Sequence, residues 1–384
     1  MPLTLCRGHR RGERTAPKFI PRSEDGPTVG RERSGPWGIL EGMSVNAFLT
    51  PSTEPRRKRR LKLGSWALAG LPAVVLAYLP QIDLQPGADV PGAGFIPALQ
   101  AMIWPLCALA LLAALVFLAC RRVVAGVLLI IAVVAAGLAS RVPDPTPELA
   151  ASAEQVQQRR TVQLMSVNAS YGEVDADAVV DAVLMRNVSV LVIQEATEGL
   201  IDRLNERPAF KQLFTHRTGA LPEVGADGTI ILATGPVKEE TPAWPDGGRH
   251  FEQRTAVVTV PGFRPIRVMA VHTLPPTADA GVWRDELDTL GAYQRSKTDL
   301  PLVVAGDFNA TEAMPGYREA TRGLDDAARV SGWWPQPTWP QRPLPLTQLD
   351  HVLVRGLGPA AWERVQLPGT DHRSVVTGLH LPED

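Results

Sequence analysis

Three long segments without charged side chains lie in the first 140 residues of the 384-residue chain. They cover residues 63–82, 95–119 and 123–140 and are 20, 25 and 18 residues long, close to or above the roughly 20 apolar residues that a helix needs to cross a lipid bilayer. One such segment is equally typical of a buried core helix, but three in succession favour a membrane region. The pattern therefore predicts three transmembrane α-helices.

Positively charged residues flank these segments unevenly. Residues 56–60 are all Lys or Arg, and Arg121 and Arg122 separate the second segment from the third, whereas residues 83–91 contain neither Lys nor Arg. Since Lys and Arg concentrate on the cytoplasmic side of a membrane, the N-terminus is predicted to be cytoplasmic and the chain after residue 140 extracytoplasmic. The basic run could instead bind nucleic acid, but the apolar segment beside it favours a membrane flank. A signal peptide is disfavoured, because the first apolar segment begins late and two more follow.

The segments on either side of the predicted membrane region are polar. Residues 1–62 are rich in Arg, Pro and Gly and lack periodicity, which predicts a disordered, basic cytoplasmic arm; Met43 is an alternative start of the chain. Residues 141–160 contain three prolines and are predicted to be a linker. A globular domain is therefore expected at residues 161–384.

From residue 161 onward, short apolar segments end in polar residues. Continuous apolar and β-branched runs predict buried strands, and two amphipathic stretches predict helices at 175–186 and 285–295. Strands outnumber helices, so an α/β domain is expected. The predicted strands are residues 162–167, 188–193, 229–233, 256–260, 266–271, 302–305, 349–354 and 374–379.

The polar residues at the strand ends share one chemistry, because all are carboxylates, amides or imidazoles. They are Asn168, Glu195, His272, Asp307, Asn309, Asp371 and His372. Strand ends on one edge of a sheet converge in space, so a single site is expected. Oxygen donors without thiols suit a hard cation such as Mg²⁺ or Mn²⁺. Histidines beside such an ion can act as acid or base or can steady a phosphoryl oxygen.

Charge differs sharply between the predicted regions. Residues 1–62 hold 14 Lys or Arg and 6 Asp or Glu, a net charge of +8, while residues 161–384 hold 20 and 29, a net charge of −9. Because nucleic-acid binding depends on Lys and Arg contacts to phosphate, the acidic domain disfavours unaided binding of DNA or RNA. No cysteine follows Cys120, which excludes a disulfide framework or a cysteine-based zinc site from that domain.

Six short motifs occur in order along residues 161–384, each at a predicted strand end. They are Met-Ser-Val-Asn168, Gln-Glu195, Val-His272-Thr, Gly-Asp307-Phe-Asn309, Leu-Asp350-His-Val and Thr-Asp371-His372-Arg. Together they resemble the endonuclease/exonuclease/phosphatase, or deoxyribonuclease-I-like, superfamily, and the chain looks like a membrane-anchored bacterial member. The resemblance implies a four-layer α/β sandwich of two mixed β-sheets flanked by helices, preceded by the three transmembrane helices.

A divalent metal, Mg²⁺ or Mn²⁺, is the cofactor that the resemblance implies. Glu195 would hold the ion with help from Asn168. Asp371 would complete the metal environment.

Five further residues are catalytic by the same resemblance. Asp307 would position or activate the attacking water, and Asn309 would hydrogen-bond the water or the phosphoryl oxygens. His272 would contact the scissile phosphate. His372, oriented by Asp350, would complete the phosphate clamp or act as a general base.

The resulting functional hypothesis is a metal-dependent phosphoester hydrolase, with its catalytic domain outside the cytoplasm. The substrate remains open among nucleic acid, a phospholipid headgroup and a phosphorylated small molecule; the other expected contact is membrane lipid, and no protein partner is predicted. The alternative is a non-catalytic domain that binds or senses a phosphate ligand. A transport protein is disfavoured, because the apolar segments carry no charged residue.

One Pro-rich loop contains Trp333, Trp334 and Trp339. Its tryptophans could stack on bases or sugars, insert at a membrane interface, or simply pack on one another. The sequence does not choose among these three interpretations.

Overall fold

The computed structural model describes residues 68–83, 92–141, 161–243, 250–331 and 335–380. The predicted arm at 1–62 lies outside these residues, as do nearly all of the predicted linker at 141–160 and the side chains of Trp333 and Trp334. What remains is a set of apolar helices followed by an α/β domain.

Four apolar helices precede the α/β domain within the residues described: α1 (Leu68–Gln81), α2 (Phe95–Ala101), α3 (Ile103–Ala119) and α4 (Val123–Ala139). The predicted single helix at 95–119 is wrong, since α2 and α3 meet at a bend of 65°. Pro105 explains the break: it has no N–H to give the carbonyl of Ala101, and its ring would clash with that carbonyl.

The prediction of three separate membrane spans at 63–82, 95–119 and 123–140 is not confirmed. No single helix among the described residues is both long and apolar enough to cross a bilayer, although the bent pair α2 and α3 together has the length and composition to do so. α4 does not meet this criterion because it is short: its 17 residues extend about 25 Å, which is less than the roughly 30 Å hydrocarbon core.

The α/β domain contains two mixed six-stranded sheets. The strands are β1 (Val162–Asn168), β2 (Val190–Gln194), β3 (His216–Arg217), β4 (Thr229–Ala233), β5 (Val237–Glu240), β6 (Arg254–Val258), β7 (Ile266–His272), β8 (Leu302–Asp307), β9 (Asp325–Asp326), β10 (Asp350–Arg355), β11 (Gly358–Gln366) and β12 (Arg373–His380). Sheet 1 has the spatial order β11-β12-β1-β2-β4-β3, and sheet 2 has the order β5-β6-β7-β8-β10-β9. Each sheet has one parallel pair at its centre, β1 with β2 and β7 with β8, while the other pairs are antiparallel.

Helices cover the outer faces of the two sheets. Side chains of the helices capped by Asp175 and Thr197 pack on sheet 1, and those of the helix capped by Asp279 pack on sheet 2. In each of these three caps the side-chain oxygen accepts a backbone N–H that the first helical turn leaves unpaired. The helices are α5 (Ala176–Met185), α6 (Glu198–Asn205), α7 (Pro208–Leu213), α8 (Ala280–Ser296) and α9 (Pro315–Ala320), with a short 3₁₀ helix at Ala327–Ser331.

Three apolar cores hold these layers together. The central core lies between the two sheets and includes Val192 and Val268. One outer core includes Phe210 of α7, and the other includes Leu287 of α8. All four side chains are fully buried, and burial of one such side chain contributes about 1.5–3 kcal/mol. The predicted arrangement of two mixed sheets flanked by helices is thereby confirmed.

The register of the strands brings the polar strand ends to one edge of the sandwich. In sheet 1, Asn168 pairs with Gln194 at the last position of the parallel strands β1 and β2. In sheet 2, His272 pairs with Asp307 at the last position of β7 and β8. The antiparallel strand β10 begins at this same edge, because Asp350 pairs with Asp307.

Candidate active site

Asn168 joins the two sheets at this edge. Its side-chain Nδ2 donates to Glu195 Oε1 at 3.0 Å and to Asp307 Oδ2 at 3.1 Å, while its Oδ1 accepts from the backbone N–H of Ser170 at 2.9 Å. The amide nitrogen therefore faces both carboxylates, and the amide oxygen is turned into the loop after β1. Asn168 was predicted as part of the metal site, and in this geometry it orients two carboxylates.

Glu195 occupies an unusual backbone conformation, with φ at +54°. A non-glycine residue there costs roughly 1–2 kcal/mol and persists only where its surroundings fix it. The backbone N–H of Ala196 donates to Gly228 at 2.9 Å, and the Glu195 Oε2 accepts from the N–H of Tyr171 at 2.8 Å. The bond from Ala196 to Gly228 and the bond from Tyr171 together hold the Glu195 carboxylate toward the open edge of the sheets.

Asp307 is buried beneath the cavity floor and is held from two sides. Its Oδ1 accepts from the backbone N–H of Asn309 at 2.8 Å, and its Oδ2 accepts from Asn168. Burial, with a contribution from the negative charge of Asp350, raises the pKa of Asp307 to about 7, against the opposing effect of His372. A carboxylate with a pKa near neutrality is suited to accept a proton.

Gly306 fixes the approach of β8 to its neighbour. Its φ is +149°, and a Cβ atom at this position would lie 1.9 Å from the carbonyl oxygen of Val271 in β7. No larger residue fits without moving one of the two strands. The Gly-Asp-Phe-Asn motif therefore needs its glycine to place Asp307 beside His272.

His372 forms a buried pair with Asp350 across the sheets. Its Nδ1 lies 2.9 Å from Asp350 Oδ2, and its Nε2 lies 3.6 Å from Asp307 Oδ2. Burial disfavours the charged ring, but the negative charges of Asp350 and Asp307 outweigh it and raise the pKa of His372 to about 10. The ring therefore carries a proton at neutral pH and presents Nε2–H as a donor, which favours the phosphate clamp over the general base.

His272 lies on the other side of Glu195. Its Nε2 is 3.9 Å from Glu195 Oε1, and its ring stacks on Phe251 with centroids 4.4 Å apart. Burial and the positive charge of His372 lower the pKa of His272 to about 3, although the nearby carbonyl of Ala226 acts in the opposite direction. The ring is thus neutral at neutral pH, unlike the ring of His372.

Asp371 lies at the rim of the site rather than within the hydrogen-bonded group. Its side chain is exposed, and its Oδ2 accepts from Trp339 Nε1 at 2.9 Å. This bond ties the Trp-containing loop to the site, together with Thr338, whose Oγ1 accepts the backbone N–H of Asp350 at 3.2 Å. The structure therefore brings seven predicted residues into one group and places the eighth, Asp371, beside it.

A cavity of about 500 Å³ opens over this group. Asn168 and Asp350 support it from behind. The remaining six predicted residues line it: Glu195, His272, Asp307, Asn309, Asp371 and His372.

Two sets of side chains could hold a cation. Ligand atoms of Asp307, Asp350 and His372 lie within 4.8 Å of one another, but His372 and Asp350 already satisfy each other through their hydrogen bond. Glu195 is partly open to the cavity. Within the described residues, its oxygens accept hydrogen bonds from the Asn168 side chain and from the backbone N–H of Tyr171. We therefore regard the cavity side of Glu195 as the better position for a cation.

Several supporting residues were not predicted from the sequence. Thr370 donates from Oγ1 to the carbonyl of Asn168 at 2.8 Å and accepts the N–H of His372 at 3.1 Å, which ties two motifs together. The carbonyl of Thr273 accepts from Asn309 Nδ2 at 2.9 Å. Both threonines belong to the quoted motifs, so their position was a usable signal, whereas nothing in the sequence marked Phe251.

Comparison with known proteins gives one family match. Residues 165–372, more than half of the chain and all eight predicted site residues, match the model of the Endonuclease/Exonuclease/phosphatase family. No curated protein matches the chain.

Solved structures resemble the chain at low sequence identity. D. rerio TDP2 complexed with single strand DNA product is 15% identical, with a TM-score of 0.46, and the match covers 58% of this chain and 100% of that one. An endonuclease/exonuclease/phosphatase family protein from Leptotrichia buccalis C-1013-b is 12% identical, with a TM-score of 0.46 and coverage of 57% and 100%. The endonuclease/exonuclease/phosphatase from Beutenbergia cavernae DSM 12333 is 19% identical, with a TM-score of 0.43 and coverage of 58% and 72%.

Proposed function

Since the chain belongs to the endonuclease/exonuclease/phosphatase family, we propose that it is a divalent-metal-dependent phosphodiester hydrolase. The resemblance found in the six motifs is confirmed at the level of the family, whose members are generally hydrolases of phosphoester bonds. One observation carries the proposal for this chain. The Asn168 side chain holds Glu195 and Asp307 together at the floor of a cavity that both histidines also line.

The donors at this site fit Mg²⁺ or Mn²⁺. Mg²⁺ keeps several of its waters and binds proteins through one or two carboxylates, so Glu195 with water suffices to begin a site. Asp371, exposed at the rim of the cavity, is the second carboxylate that would complete it. When bound, the cation neutralises charge on the phosphoryl oxygens and lowers the barrier to attack on phosphorus.

The remaining residues are arranged for hydrolysis. Asp307 takes a proton from water, whose oxygen forms a bond to phosphorus while the bond from phosphorus to the leaving oxygen breaks. The leaving oxygen takes a proton from solvent and Asp307 returns its proton to solvent, so the products are a phosphomonoester and an alcohol. His372 donates from Nε2 to a phosphoryl oxygen, the neutral ring of His272 contacts the same phosphate, and Asn309 orients the water.

Metal dependence is the first test of this proposal. The full chain, purified in detergent, should hydrolyse bis(p-nitrophenyl) phosphate with Mg²⁺ or Mn²⁺, and EDTA should lower the rate at least about 100-fold, because the developing charge loses its counter-ion. Re-addition of the metal should restore the rate. Turnover that persists in EDTA would exclude the metal mechanism.

A non-catalytic phosphate-binding or sensor domain is the alternative function. It predicts that phosphate or a phosphodiester binds without turnover at any metal concentration. The grouping of Glu195, Asp307 and His372 at one cavity supports the enzyme, because binding alone does not need a buried proton acceptor beneath the phosphate.

We further propose that the apolar helices anchor the protein in the cell membrane, with the N-terminus cytoplasmic and the catalytic domain outside. Large side chains of α3 and α4 that face outward support this, since Leu112 and Leu115 are 60% and 63% exposed and Ile131 is 57% exposed. Apolar surface of this extent in contact with water is unfavourable and is typical of a membrane or protein contact. The asymmetry of Lys and Arg supports the orientation.

The orientation can be measured with β-lactamase fused to the C-terminus of the full chain in a bacterial host. Export of the domain should make the cells resistant to ampicillin, because β-lactamase protects them only outside the cytoplasm. Cells that make the same fusion without residues 63–140 should remain sensitive to ampicillin. Sensitivity of cells that make the full-length fusion, with the enzyme active in lysates, would refute the orientation.

A further inference from the structure

The cavity has two chemically different sides. One carries the carboxylates and histidines of the active site, while the other is apolar and includes part of helix α2. Apolar side chains and prolines form this second side. They are Pro97, Ala98, Ala101 and Met102 of the α2 segment, with Pro275, Pro276 and Met314 of the α/β domain.

Helix α2 contacts the domain closely where it reaches the cavity. A Cβ atom at Gly94 would lie 2.2 Å from the carbonyl oxygen of Pro276, so the two backbones are in direct contact. Ala101 is buried in the same core as Trp283 and Leu287 of α8. The apolar wall is thus built into the packing of the domain.

Polar contacts fix the end of α1 in the same place. The buried side chain of Gln100 donates to the carbonyls of Leu79 and Ile82, each at 2.8 Å. Asp83 pairs with Arg284 of α8 at 3.2 Å, and Arg318 of α9 donates to the carbonyl of Pro80 at 2.9 Å. These bonds hold α1 and α2 against the helices that cover sheet 2.

The opposite face of α2 is apolar and exposed. Phe95 and Leu99, one helical turn apart, are 72% and 47% exposed, whereas Ala98 and Ala101 face the cavity. The next helix, α3, exposes Leu109 and Leu115 by 63% each. A single thin helix therefore separates the catalytic cavity from an apolar surface that water does not solvate well.

We infer that the substrate is a phosphodiester that carries a long hydrocarbon chain and reaches the site from a lipid bilayer, with the chain lying on the α2 wall. The inference rests on the proposed hydrolase function and specifies its substrate class. Nucleic acid fits the cavity poorly, since none of its lining residues in the described part of the chain is Lys or Arg. A hydrocarbon chain gains free energy from contact with this wall, and the phosphate remains on the polar side.

Three chromogenic esters test the inference without assuming a headgroup. The full chain in lipid nanodiscs with Mg²⁺ is given p-nitrophenyl methyl phosphate, p-nitrophenyl octyl phosphate or the p-nitrophenyl ester of thymidine 5′-phosphate. Each methylene buried on the wall should raise kcat/KM about fourfold, so partial burial of the octyl chain should give at least about a tenfold preference over methyl.

A charge placed in the wall should largely abolish this preference for the octyl ester. Ala98→Glu should lower the ratio of octyl to methyl kcat/KM about tenfold. Met185→Glu, which adds the same charge to an exposed position of α5, should leave the ratio unchanged. The ratio of octyl to methyl kcat/KM is also measured on the wild-type protein, so the inference stays testable if Ala98→Glu does not fold.

The outcomes separate the two proposals. Equal turnover of the octyl and methyl esters, or a preference for the thymidine ester, would overturn the lipid-like substrate and leave the hydrolase intact. If the protein cleaves none of the three esters and does not cleave bis(p-nitrophenyl) phosphate, the proposed hydrolase function itself is overturned.

Discussion

Replacing Asp307 by Asn is expected to lower kcat about 1000-fold while the protein remains folded. An amide cannot accept the proton of the attacking water, and general-base catalysis contributes about 10²–10⁴ in rate. The Asn oxygen can still accept the N–H of Asn309, which now bonds to Asp307 at 2.8 Å, so the loop should keep its conformation. Steady-state hydrolysis of bis(p-nitrophenyl) phosphate with Mg²⁺ measures the effect.

The matched control for this variant is Asp285→Asn, which makes the same change at an exposed position of α8. It should retain wild-type kcat within about twofold. Circular dichroism and thermal melting of both variants should show native folds. If folded Asp307→Asn were as active as the control, Asp307 would not be the proton acceptor.

Gly306→Ala is expected to lower the free energy of unfolding by about 3 kcal/mol or more. The added Cβ would lie 1.9 Å from the Val271 carbonyl oxygen and 2.8 Å from its carbon, so the parallel strands β7 and β8 would have to separate. Overpacking of this kind costs about 1–3 kcal/mol, and the φ of +149° adds backbone strain of similar size. Urea or thermal denaturation of the full chain in detergent measures the loss.

Gly323 separates the two causes of this effect. Its φ is +82°, but a Cβ atom there would have no heavy atom within 4 Å. Gly323→Ala should therefore cost only about 1 kcal/mol, the amount expected from the backbone conformation alone. Equal losses in the two variants would show that the close approach to Val271 is not what Gly306 protects.

The sequence predicted the central strands and their polar ends well, for a physical reason. β1, β2, β7 and β8 are largely buried on both faces, so they read as mostly apolar runs, which only Gln163 and Ser166 in β1 and Arg267 in β7 interrupt before their polar ends. Residues that interrupt such a run, such as Asn168 and Asp307, are costly to bury unless they are bonded or functional. Their grouping at one edge then follows from parallel pairing at the centre of each sheet.

Strands at the edges were missed because their patterns are polar or short. β11 (Gly358–Gln366) alternates between buried and exposed residues, contains Pro359, and was not predicted. β3 and β9 have two residues each, which is too short for any periodicity. Their pairing is imposed by neighbouring strands in the folded domain, so a local pattern does not encode it.

The apolar wall of the cavity could not be predicted either. Ala98 and Met102 read as parts of a membrane segment. Pro105 is a local signal for the break at Met102, but nothing local indicates that α2 packs on the α/β domain. Contacts of this kind join residues about 200 positions apart in the chain, as Asp83 and Arg284, 201 positions apart, illustrate. Only the tertiary structure brings the two parts of the sequence together.

The hydrogen bond between Asn168 of sheet 1 and Asp307 of sheet 2 joins the two sheets at the edge of the central core, as does the pair of Asp350 in sheet 2 and His372, which directly precedes β12. The candidate site is therefore a property of the interface between the layers, and neither sheet contains it alone. If the proposed hydrolysis occurs there, its rate should depend on how tightly the two sheets pack. Loosening of the apolar core between them, even with both sheets intact, would separate Asp307, the proposed proton acceptor, from His372, the proposed phosphate ligand.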